Sequence, residues 1–232
     1  MATGSELQEM SVRIVRPPLV VPALPEQDLA RAGTVTAAFQ TTGCKTFRDA
    51  ASFVWNLPYG RNANRADYEL VLSEGRGTCS TKHAILGALA VEQKIPLELR
   101  LGIYEMTEAN TPGVGPVLDG VGLRSIPEAH CWLHYLGADI DVTTPPGRSR
   151  AARPTVLLHE ETITPAQIGA HKTLVHVSFL THWLKRLERV DITLERGWRI
   201  REACIAVFSA ASANSKPAMN SDECSRQSDF AF

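Results

Sequence analysis

The sequence lacks most of the features that would classify a chain at a glance. Lys plus Arg is 24 and Asp plus Glu is 25, so the formal net charge is only -1. A nucleic-acid binder draws much of its affinity from a basic surface, and that balance argues against one. No stretch approaches the roughly 18 consecutive apolar residues of a membrane-spanning helix. The opening residues MATGSELQEM have neither a basic start nor an apolar run, which points away from a secretory signal and predicts a cytoplasmic protein. No CxxC pair is present, so zinc knuckles and ribbons are excluded. There is no internal repeat. The five cysteines (Cys44, Cys79, Cys131, Cys204, Cys224) are odd in number and scattered, a poor basis for a disulfide framework.

What is present is enough for a core: 44% of the 232 residues are hydrophobic and 21% are charged. Residues 1–45 read as an extended N-terminal segment, with Val12, Ile14, Val20 and Val21 as strand formers and Pro17, Pro18, Pro22 and Pro25 as helix breakers. Thr46 to Asp49 opens a helical run that stops at Pro58. Ser80 to Lys94 is the clearest helix, with Ala84, Ile85, Ala88, Leu89 and Val91 on a broad apolar face and Pro96 closing it. Leu97 to Tyr104 reads as a strand, and Met106 to Pro127 as a Gly- and Pro-rich loop. Two further strands, His130 to Leu136 and Ile140 to Thr144, flank a tight turn. Beyond residue 150 the pattern is helical, with Leu174 to Leu187 and Leu194 to Phe208 amphipathic and 211–232 a polar, flexible tail. The class is α+β. The expected divisions are the extended segment, a core over 46–150, a helical extension over 151–210 and the tail.

Cys79 is the residue that invites chemistry. It follows Gly75-Arg-Gly77 and begins the strongest helix, where the helix dipole favours thiolate over thiol. The thiolate is the attacking form. The N–H of Cys79 has no acceptor within its own helix and is a ready donor to an oxyanion. The flanking glycines would let backbone and substrate approach the sulfur.

A thiolate needs a base, and the base an orienting group. His130 and Asp141 lie on the two strands of the hairpin. With Leu136 and Gly137 as the turn, Asp141 sits opposite Trp132, a diagonal step from His130. With Gly137 and Ala138 as the turn, Asp141 faces His134, and His134 becomes the base. Asp139 shares Asp141's strand face and is the fallback orienter. Four residues are candidate substrate contacts: Glu128 and Trp132 by strand alternation, and Glu105 and Asn110 in the loop between nucleophile and base. His83, four residues after Cys79, is assigned a supporting or packing role, and Cys131 a core one. The spacings of His171, His176 and His182 fit no metal-binding pattern, so neither a metal nor a cofactor is expected.

Together these residues carry a resemblance. Gly77-Thr-Cys79 opens a helix that runs into Lys94-Ile-Pro96, His130-x-Trp132 follows, and then Asp141-x-Thr143. Over residues 46 to 145 this resembles the transglutaminase-like superfamily of papain-type folds, in the family's order Cys, His, Asp. Lys94 stands where the family has glycine, Val142 where it has proline, and the hairpin is short. The resemblance implies a nucleophile helix packed on an antiparallel sheet, with Cys79 as nucleophile, His130 as general base and acid, and Asp141 as orienter. The implied activity is cleavage of an amide or peptide bond in a small molecule or peptide through a Cys79 thioester. Alternatives are acyl transfer to an amine and a catalytically silent binding module.

Overall fold

A computed structural model of the chain describes residues 13–14, 21–146, 156–187 and 191–214. The sequence reading of 211–232 as a tail falls mostly outside them. Its first four residues close a helix.

Ten residues, Leu97–Met106, form the central strand β2. It pairs antiparallel with β3 (Ile126–Tyr135) on one side and β6 (His159–Ile163) on the other. A short β4 (Ala138–Ile140) extends the far edge of β3, giving the order β4-β3-β2-β6. A separate two-stranded pair joins β1 (Arg13–Ile14) to β5 (Val156–Leu157). The class is therefore α+β, as its composition of elements predicts. Strand β6 corrects the reading of 151–210 as helical. Its run His159-Glu-Glu-Thr-Ile163 is polar because it lies at the sheet's edge, so it offers no apolar alternation to detect.

Alternation on β2 sends Leu99, Leu101 and Ile103 to one face and Tyr104 and Met106 to the other. The first face packs under α1 (Thr34–Thr41), α2 (Phe47–Asn56), α3 (Leu70–Glu74) and α4 (Cys79–Glu92), around Phe39, Phe47, Val54, Val71 and Leu89. The second packs against α5 (Gly115–Asp119), α6 (Ala170–Arg186) and α7 (Leu194–Asn214), around Leu118, Leu180, Trp183, Ile200 and Cys204. Among the described residues no helix is long and apolar enough to cross a membrane.

Helix α1 falls inside the segment read as extended. Its preceding residue, Gly33, offers no side chain to cap it. Glu92, at the far end of α4, supplies the cap instead, accepting from the N–H of Val35 (3.1 Å) and of Thr36 (2.7 Å). A Cβ on Gly33 would lie 2.1 Å from the Glu92 Oε1, so the glycine makes room for that distant cap. Helix α2 is capped locally, by the Thr46–Asp49 box read from sequence.

Helix α4 is the axle of the fold. Twelve of its 14 residues are buried, and the predicted face residue Val91 is the exposed one, at 71%. The helix lies between the sheet and α1, α2 and α3, so no polar side is left for water. Its polar residues are consequently all internal and all hydrogen-bonded.

Gly102 on β2 sits opposite His130, and a Cβ there would lie 2.7 Å from the Cη2 of Trp132. Trp132 is 1% exposed and held by Asp139, so it has nowhere to swing. Gly102→Ala is predicted to cost about 1–3 kcal/mol by overpacking. A lowered urea midpoint at unchanged slope would report it.

Candidate active site

The Gly75-Arg-Gly77 lead-in places Cys79 at the first residue of α4, after the N-cap Thr78. Thr78 and Thr81 close a capping box, and the Thr81 hydroxyl donates to the Asn62 Oδ1 at 2.8 Å. The two glycines act on packing. Gly75 takes the left-handed C-cap of α3 (φ 62°). A Cβ on Gly77 would fall 2.7 Å from the Cγ of Lys82, so Gly77 clears space for a buried side chain and not for substrate.

The hairpin turns on Leu136 (φ 48°) and Gly137 (φ 80°), a two-residue turn with both residues left-handed. This sets Leu133 opposite Ile140 and His134 opposite Asp139. Strand β4 ends there, overlapping the predicted Ile140–Thr144 only at Ile140, and Asp141 is the first residue beyond it. The next N–H, from Val142, donates to the Nε2 of His83 at 2.9 Å, and the N–H of Thr143 to the Oδ1 of Asp141 at 2.8 Å. The β3 edge is thereby left open at Cys131, whose backbone N–H donates to the Cys79 sulfur.

Into this opening the structure brings Cys79, His130 and Asp141. The Nε2 of His130 lies 2.9 Å from the Oδ2 of Asp141, and His130 also hydrogen-bonds Cys79. With Nε2 committed to the carboxylate, Nδ1 is the nitrogen left for the sulfur. Burial raises the Cys79 thiol, but the Lys172 ammonium, His130 and the Cys131 N–H outweigh it and bring the group down to about 6. Burial lowers His130, but Asp141 and the sulfur lift it to about 9. Asp141 is held well below the carboxylate range, because His130 outweighs its burial. A thiolate–imidazolium pair is the form this environment favours between those two values.

His134 is turned to Asp139, with Nδ1 2.7 Å from Oδ1. It stands four residues, about 13 Å, along the strand from His130. The same Asp139 oxygen accepts from the indole N–H of Trp132 at 3.1 Å, and Trp132 stacks on the His130 ring. Asp139 therefore orients the side chain that backs His130, not His130 itself. His83 is neutral and lies deep: its Nδ1–H donates to the Cys79 carbonyl at 2.6 Å while Nε2 accepts from Val142. Burial, aided by the His130 charge and only partly offset by Asp141, lowers it to about 4.

The other candidate contacts divide. Glu128 is 4% exposed and grips Arg201 of α7 through two hydrogen bonds, so it braces the wall and offers no open carboxylate. Trp132 is buried. The sheet register sets Glu105 beside Pro127, on the face opposite His130. Asn110 folds its own loop, accepting from the Thr107 N–H and donating to the Glu105 carbonyl. His171, His176 and His182 are engaged separately, with Glu161, the Pro127 carbonyl and the Ser178 carbonyl. Among the described residues no three His, Cys, Asp or Glu side chains are grouped to hold a metal.

No family model, no curated protein and no solved structure matches the chain.

Three residues of the site escape a reading of the sequence. Lys82 is fully buried, and its Nζ donates to the carbonyls of Leu57 (2.9 Å), Thr143 (3.1 Å) and Trp55 (3.4 Å). It ties the end of α2 to the segment carrying Asp141, and burial lowers it to about 7. Lys172 of α6 donates to the Ser80 hydroxyl at 2.6 Å from 92 residues away. Arg201 closes the site's rear through Glu128 and reaches Glu202, which Arg61 and Arg65 also contact. A lysine in a helix buried on every side is a detectable anomaly; the other two contacts have no local signature.

Burial raises Glu128, but Arg201 outweighs it and holds the carboxyl at about 2. Arg201→Met would strand that carboxylate, at a predicted cost of about 3–5 kcal/mol. Glu128→Met with Arg201→Met should cost much less than the single change. Because the carboxyl's value is depressed on folding, the pair's contribution is present above about pH 4 and fades as pH falls toward 2. Urea denaturation of wild type and the two variants at neutral and acid pH measures both effects.

Proposed function

We propose that the protein is a thiol enzyme that cleaves an amide or peptide bond through an acyl thioester on Cys79. The observation that carries this is the hydrogen-bonded order Cys79–His130–Asp141, built at the start of a buried helix and an open strand edge. The same layout, with the nucleophile helix on an antiparallel sheet and the order Cys, His, Asp, supports a papain-like, transglutaminase-like core.

The steps follow from the charges. The thiolate attacks the carbonyl carbon, and the carbonyl oxygen becomes an oxyanion facing the Cys79 N–H at the positive end of α4. Imidazolium of His130 gives its proton to the departing amine, and the C–N bond breaks to leave a thioester. Neutral His130 then takes a proton from water, which attacks the thioester and releases the acid and the thiolate. Asp141 keeps the ring oriented and its positive form stable throughout. Glu128, committed to Arg201, has no part in these steps.

Acyl transfer shares the first half and differs only in admitting an amine where water would enter. A binding module without turnover would never form the thioester. A cysteine enzyme of this kind, with four free thiols among the described residues, suits a reducing compartment such as the cytoplasm.

Intact-mass analysis after exposure to activated esters or peptide libraries is expected to show an acyl adduct on Cys79 that Cys79→Ser lacks. Added hydroxylamine should yield hydroxamate if amines can enter, and free acid alone if only water can. Turnover should follow a bell with limbs near about 6 and about 9, the lower from Cys79 ionising and the upper from His130 losing its proton. Absence of any adduct across ester and amide panels would remove the thioester reading.

A further inference from the structure

Lys172 is the third residue of α6 (Ala170–Arg186), remote in sequence from the hairpin and from Cys79. Its Nζ donates to the Ser80 Oγ at 2.6 Å, and Ser80 Oγ lies 3.8 Å from the Cys79 Sγ. Among the described residues no carboxylate forms an ion pair with this ammonium, although Glu128, itself paired with Arg201, feels its charge. An ammonium has no lone pair to offer, so the Ser80 oxygen must be the acceptor in that contact. The single hydroxyl proton of Ser80 is thereby released toward sulfur.

Two sulfurs compete for it, because Cys131 also hydrogen-bonds Ser80. Their surroundings differ. Cys131 belongs to the apolar cluster beneath α4, fully buried among aliphatic side chains, and burial pushes its thiol up to about 12. Cys79 stands at the helix start with His130 and the Cys131 N–H directed at it. The geometry points to Lys172 as a positioning residue that, through Ser80 and its own charge, holds Cys79 as a reactive thiolate. This rests on Cys79 being the nucleophile. The same Lys172 charge also reaches Cys131, where burial outweighs it, so the choice between the two sulfurs is made by their surroundings.

The other groups around the sulfur do not replace it. His130 and Asp141 approach from β3 and the segment after β4 as a nearly neutral pair. From the segment after α2, Tyr59 adds a buried phenol, packed edge-on to Phe208 of α7. Tyr104 on β2 and Glu128 on β3 bring no positive charge, and Glu128 is already paired with Arg201. His83 on α4 is neutral, and Lys82 points away to the three carbonyls. Among the described residues Lys172 is thus a cation beside the sulfur that has no carboxylate within ion-pair distance, and it is the first of the charges that lower Cys79. Ordinary helix chemistry would not select it: a lysine in the first turn of a helix opposes the dipole, so its place in α6 is better explained by what it faces.

The test is the pH dependence of Cys79 alkylation by iodoacetamide, resolved by peptide mass, in wild type, Lys172→Gln, Lys172→Arg and Ser80→Ala. Lys172→Gln is expected to raise the midpoint by about one unit, a reaction about fivefold slower near pH 6 and about tenfold slower well below it, with the alkaline plateau unchanged. Lys172→Arg, keeping the charge, should lie closer to wild type. Ser80→Ala should shift it less than Lys172→Gln. A midpoint in Lys172→Gln equal to that of wild type overturns the assignment, as does equal displacement in the Gln and Arg variants, the mark of a merely structural role. A wild-type midpoint at the ordinary thiol value overturns the nucleophile reading as well, so the two failures are distinguishable.

Discussion

The N–H of Val142 donates to His83 where regular pairing would have sent it to the edge of β3, and the arrangement of the site depends on that change of partner. Had β4 continued, Val142 would have paired with Cys131, following the register Leu133↔Ile140. Instead the strand stops, and the start of α4 occupies the gap. The freed Cys131 N–H finds sulfur as its acceptor, and Asp141, no longer in a strand, turns to His130. His83 makes this possible by spanning two backbones, donating to the Cys79 carbonyl and accepting from Val142. A buried neutral imidazole with both nitrogens used is a rigid connector, and its low affinity for a second proton keeps it so.

Charge is the second organising theme. A buried carboxylate, thiolate or ammonium is expensive in isolation, and each is tolerated here because it is met by an opposite charge or by several dipoles. Asp141 faces His130, Cys79 faces His130 and Lys172, Glu128 faces Arg201, and Lys82 is surrounded by carbonyls. Such a set raises specificity more than stability, since removing one member strands its partner. Helix α7 is held by the same logic, through Arg201 and through Glu202 with Arg61 and Arg65, so the wall behind His130 is electrostatically latched.

Where structure follows from near neighbours, the sequence was readable. The Thr46–Asp49 cap, a tight turn between Leu136 and Ala138, with its register left open, and the position of Cys79 at a helix start all depend on residues within a few positions of each other. Given the turn, the step from His130 to Asp141 was geometry. The misses share the opposite cause. Helix α1 takes its cap from Glu92, β6 is polar because it is an edge, and α4 has no exposed face for a periodicity to reveal. Lys172 and Arg201 meet their partners across 92 and 73 residues, a separation that no spacing rule covers. The glycines before Cys79 were read as access to sulfur, and one of them instead accommodates Lys82.

In the proposed mechanism His130, oriented by Asp141, is the partner of a reactive Cys79. Competitive iodoacetamide labelling at slightly acid pH, quantified for each cysteine in wild type, His130→Ala and His134→Ala, tests it most directly. In wild type Cys79 should label well ahead of Cys44, Cys131 and Cys204; His130→Ala should abolish that lead and His134→Ala should preserve it. Equal, slow labelling of all thiols in wild type, or loss of the lead in His134→Ala alone, would contradict it.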